Sequence, residues 1–79
     1  MVTVLRDGSL RVVIFTDDHP PPHVHVIGDG ETKIALGAPG DDPTLLWTVG
    51  AKLSETRRAL TLVAERVDEL RQRWSDLHG

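Results

Sequence analysis

The 79-residue chain contains no cysteine. Neither a disulfide framework nor a thiolate metal cluster can hold it together, so stability must come from packing, from a metal bound through histidine or carboxylate, or from association. No apolar run approaches the roughly 20 residues of a transmembrane helix, and the N-terminus lacks the charged and apolar regions of a signal peptide. The sequence therefore reads as a soluble, cytoplasmic protein with no membrane segment. Positive charge is also short: nine basic against twelve acidic side chains give a net charge of −3, which argues against bulk electrostatic binding of nucleic acid. The deficit is uneven, with seven acidic and three basic residues in 1–42 but five and six in 43–79. Arg57, Arg58, Arg66, Arg71 and Arg73 gather in the last segment, which leaves nucleic acid open as a weakly supported partner.

What is present forms one small domain, 1–79, with a β-rich part over 1–49 and a helix over 54–77. Short apolar and β-branched runs alternate with glycine-containing turns. "VTVLR" and "LRVVIF" flank "DGS", and "HVHVI" and "TKIAL" flank "GDGE", each pattern being that of a hairpin. "GAPGDDP" has too much Gly, Pro and Asp for regular structure and reads as a surface loop. "TLLWTV" fits a fifth strand or a helical turn.

In the last segment apolar residues recur at Leu53, Leu60, Val63, Val67, Leu70, Trp74 and Leu77, in steps that fit one face of a helix. Ser54 is the expected N-cap, and a single helix to Leu77 would span roughly 36 Å at 1.5 Å per residue. The fold class expected is α+β: a mainly antiparallel sheet of two hairpins plus a fifth strand, with one long C-terminal helix packed on one face. That helix is long relative to strands of about 17–20 Å. Its stripe can be written as a heptad seam flanked by arginines, which would suit a homodimer or a partner protein, or it can simply lie across the sheet.

Three of the four histidines fall within "TDDHPPPHVHV", Thr16 to Val26. The strand period of two puts His23 and His25 on one face and Val24 and Val26 on the other. Two imidazoles so placed can reach one metal ion, such as zinc, but need further ligands. An extended polyproline segment would hold His19 roughly 12 Å from His23. A cis peptide before one of the prolines would instead fold the chain back and bring Asp17, Asp18 or His19 to the pair. The metal candidates are therefore His23, His25 and Asp18. A metal-free alternative uses His23 and His25 as general acid and base, with His19 or Asp18 as the orienting group, in the manner of RNA transesterification. A third reading is structural: polar residues on a solvent face, preceded by prolines that block edge pairing.

Asp18-His19-Pro20-Pro21-Pro22-His23-Val24-His25-Val26 resembles the D-H-x-P-P-H-[apolar]-H-V signature of a small bacterial domain of unknown function. The opening "MVTVLRDGSLRVVIF" and the closing Glu69-Leu70 with Trp74 resemble the same family. The resemblance implies one half of a two-gene, toxin–antitoxin-like module, hence a small protein partner encoded by the neighbouring gene. On that reading the chain is a protein-binding, regulatory subunit, and Trp74, Leu70, Arg66, Arg71 and Arg73 are its contact residues, since Trp and Arg are enriched at interface hot spots. The alternative is an enzyme, a small histidine-dependent ribonuclease or metal-dependent hydrolase. No cofactor is demanded by the sequence, and a divalent metal is the one it could accommodate.

Overall fold

A computed structural model describes residues 1–79. Five strands follow one another as an antiparallel meander: β1 (Val2–Asp7), β2 (Leu10–Ile14), β3 (His23–Ile27), β4 (Glu31–Ala35) and β5 (Thr44–Val49), in spatial order β1-β2-β3-β4-β5. Both expected hairpins form. Gly8 takes the positive φ of 58° that the β1–β2 turn requires, a conformation glycine adopts without steric cost. Ile27 pairs with Glu31 across the β3–β4 turn. A Cβ at Gly30 would collide with the backbone of Gly50 and Ala51, so glycine here lets the turn pack against the segment leaving β5. "TLLWTV" is a strand, the sheet edge opposite β1.

Two helices follow, α1 (Leu53–Glu65) and α2 (Val67–His78), where the periodicity predicts one. The break falls at Arg66, whose φ of −123° and ψ of 21° are not helical. Neither proline nor glycine marks it. Its physical reason is length, because an unbroken helix of about 36 Å would run past the sheet it covers. Breaking it keeps Leu70 and Trp74 on the core. Asp68 and Glu69 then lie in the first turn of α2, where carboxylates favour a helix N-terminus, and Arg66 holds Glu69 through its guanidinium at 2.8 Å. The break also interrupts the heptad seam. The expected cap is corrected as well: Lys52, not Ser54, is the N-cap of α1.

The core lies between one sheet face and the helices. Val12, Ile14, Val24, Val26, Ile34 and Leu36 meet Ala59, Leu62, Val63, Leu70 and Trp74. Burying each large aliphatic side chain contributes roughly 1.5–3 kcal/mol. Two polar anchors tie the helices to loops. Glu55 accepts hydrogen bonds from the Asp29 and Gly30 amides at 2.9 and 3.1 Å, which fixes the β3–β4 turn. Arg71 donates to the carbonyls of Leu36 and Asp41 at 2.9 and 2.7 Å, which fixes the loop after β4. No helix is long and apolar enough to cross a membrane.

Candidate metal centre

His23 and His25 stand one pleat apart on β3, on the face away from Val24 and Val26, as the period of two requires. That face is not open at this point: the two histidines are 6% and 8% exposed. Aromatic rings cover them. Phe15 meets His25 edge-on at 4.7 Å between centroids, Trp47 of β5 approaches the same ring at 5.9 Å, and Trp74 of α2 lies against His23 at 5.0 Å. The solvent-facing histidine strand envisaged in the structural reading is thus replaced by a buried one.

Buried imidazoles need partners for both nitrogens. His23 Nδ1 donates to the Pro21 carbonyl at 2.9 Å. His25 Nδ1 donates to Glu31 Oε2 at 2.9 Å. A carbonyl and a carboxylate oxygen can only accept, so both Nδ1 atoms carry hydrogen and the tautomer of each neutral ring is set. Both Nε2 atoms point to Asp18, and in the neutral rings each presents a lone pair there. His23 Nε2 lies 2.8 Å from Asp18 Oδ2, and His25 Nε2 lies 3.4 Å from the same oxygen. The His25 Nε2 atom is buried and makes no hydrogen bond. One ligand atom from each of Asp18, His23 and His25 falls within 4.8 Å of the others.

With both rings neutral, three acceptors converge on one point. A proton shared between His23 and Asp18 would satisfy that pair but leave His25 Nε2 without a partner. A divalent cation satisfies all three atoms at once. Two histidines and one carboxylate form a donor set common to zinc and to non-haem iron. The groups on Nδ1 are the outer supports such ligands usually carry, since they fix ring orientation and raise ligand basicity. Asp18 is the most open member, its side chain 28% exposed, so the centre communicates with solvent on that side.

The prolyl segment decides which upstream residue joins. The Pro20–Pro21 peptide is cis, and Asp18 sits beside His23. Asp17 and His19 are exposed, and His19 lies outside the group formed by Asp18, His23 and His25. The sequence reading missed Glu31, which it placed in a turn. The signal was in the register: Ile27 opposite Glu31 and Lys33 opposite His25 put Glu31 on the histidine face, diagonal to His25. His78, of no evident role in the sequence, stacks on Trp74 with centroids 3.7 Å apart and donates from Nδ1 to the Trp74 carbonyl at 2.8 Å. It extends the aromatic contacts that begin at His25.

The residues expected to form a partner surface differ in how they are used within the chain. Leu70 and Trp74 are 0% and 5% exposed, Arg71 is occupied by loop carbonyls, and Arg66 is paired with Glu69. Of that set, Arg73 alone makes no such intramolecular polar contact.

No curated protein and no solved structure matches this chain. A family model described as a domain of unknown function, DUF4160, matches residues 10–75 and so takes in every member of the histidine–aspartate cluster. The match extends over most of the sheet and both helices, and the chain belongs to the DUF4160 family.

Proposed function

We propose that this protein is a divalent-metal-binding protein with a hydrolytic centre formed by Asp18, His23 and His25. One observation carries the reading: both imidazoles are tautomerically fixed by Pro21 and Glu31 so that their Nε2 lone pairs meet a carboxylate, and His25 Nε2 has no other partner. Three protein ligands leave coordination positions for water or substrate, the arrangement of catalytic rather than structural sites. A metal in such a site acts as a Lewis acid and lowers the pKa of bound water. The metal-free acid–base alternative is less well supported, because two Nε2 atoms aimed at one carboxylate oxygen leave no gap between them for a reacting group. Placement in a two-gene toxin–antitoxin-like module rests on the resemblance of the prolyl-histidyl signature. Within such a module a hydrolytic centre makes this chain the active component rather than the regulatory subunit.

The test is calorimetric titration of the untagged, chelator-treated protein with zinc, manganese and nickel, followed by assay of the loaded protein on a phosphodiester reporter. One ion per chain is expected, lost in His25→Ala and Asp18→Asn while the far-ultraviolet circular dichroism stays unchanged. Absence of binding, or binding undiminished in both variants, would refute the proposal.

A further inference from the structure

All six residues of β5 are exposed, and the strand, Thr44-Leu-Leu-Trp-Thr-Val49, contains no charge and no proline. Leu45, Leu46, Trp47 and Val49 are 39–66% exposed. As the sheet edge it also presents unpaired backbone donors and acceptors. Natural edge strands are shielded by lysine, proline, inward charges or covering elements. Apart from one bulge against β4 at Leu46, β5 has none of these, and Trp47, Thr48 and Val49 keep regular register with β4 beyond it.

We propose that β5 pairs antiparallel with β5 of a second copy of this chain, forming a two-fold dimer with a continuous ten-stranded sheet. Charge and symmetry are both compatible with a second copy as the occupant. The chain carries a net charge of −3, so two copies repel wherever acidic surface meets. β1 bears Arg6 and Asp7, β2 bears Arg11, and β4 bears Glu31 and Lys33, whereas β5 bears no ionisable side chain. Of the two sheet edges, β1 and β5, only β5 lets identical chains approach with no ionisable side chain on the pairing strand. The topology selects the symmetry. Pairing β5 with β1 of the next copy would be head-to-tail and open-ended, whereas β5 with β5 uses the same patch twice and closes. Edge-to-edge pairing also supplies main-chain hydrogen bonds that every residue type can make, the usual source of affinity in strand addition. The two-fold axis stands perpendicular to the sheet, so both α1 helices fall on one side and both His25–Trp47 contacts on the other. Trp47 is then covered on its outer side, and the ring that packs on His25 belongs to the interface.

Sedimentation velocity of the full chain over micromolar to submillimolar concentrations tests this directly. The expected result is a monomer–dimer equilibrium that Leu46→Arg shifts by more than tenfold toward monomer, with the β5 amides of the wild type gaining hydrogen-exchange protection as concentration rises. If Leu46→Arg does not fold, Val49→Lys, at the most exposed position of the strand, carries the same expectation. A wild-type chain that stays monomeric throughout overturns the proposal, as does a dimer indifferent to both substitutions. So does a β5 edge that gains protection only when the protein encoded by the neighbouring gene is added.

Discussion

β3 and β5 are nearly equal in length and pair with the same strand, β4, yet their surroundings invert what their residues would suggest. β3 carries two imidazoles and is almost wholly buried; β5 carries two leucines, a tryptophan and a valine and is exposed at every position. Position in the sheet decides. β3 has a strand on each side and aromatic rings over its polar face, so its histidines must find partners for their nitrogens inside the fold, and that demand gathers Asp18, Glu31 and the Pro21 carbonyl around them. β5 has one neighbour only, and its apolar side chains stay 39–66% exposed even where Trp47 packs on His25. On the proposals made above, the first strand is organised toward an ion and the second toward a second copy of the chain.

The largest test of this contrast removes the cover from β3. Trp74→Ala deletes a side chain that is 5% exposed and lies against His23. Truncating a buried aromatic costs about 3–5 kcal/mol, against a total of roughly 4–12 kcal/mol for a domain of this length. Urea denaturation should show that loss, with Trp74→Phe losing much less. A loss under about 1 kcal/mol would be the signature of a surface residue and would return Trp74 to the partner-contact role that its residue type suggests.

A smaller effect separates holding the ring from holding the ion. Glu31→Ala removes the acceptor on His25 Nδ1 but no proposed ligand. Loss of an outer-shell partner typically weakens metal affinity by about 10–100-fold, so one ion per chain should still bind, more weakly. Glu31→Gln keeps an acceptor oxygen and should recover part of the loss. Calorimetric affinities at fixed stoichiometry read this directly; an unchanged affinity in Glu31→Ala would show that His25 is not held from its Nδ1 side in solution.

How much of this the sequence carries varies by element. The hairpins are legible because their turns require particular chemistry, Gly8 at positive φ being the clearest case. The His23–His25 pair is legible because the strand period is two. The helix break is not, since Arg66 is neither proline nor glycine and the cause is a mismatch between helix and sheet that only assembly creates. Asp18 depends on the path of three prolines, and Glu31 on a turn of three residues rather than four. The exposure of β5 is hidden for a different reason. Hydropathy reports what a strand carries, whereas being an edge is a property of strand order.

The smallest effect concerns β5 itself. Leu46 is 49% exposed, and surface substitutions away from special features change stability by less than about 0.5 kcal/mol. At high dilution Leu46→Ala and the wild type should therefore unfold at nearly the same temperature. As concentration rises they should part, because a partner that binds only the folded chain raises its apparent stability by mass action. The wild-type transition should move upward with concentration and that of Leu46→Ala should move less. Parallel behaviour at every concentration would mean that Leu46 meets only water. Divergence already present at the lowest concentration would mean that Leu46 packs within its own chain, and the contrast between the two strands would then narrow from the β5 side.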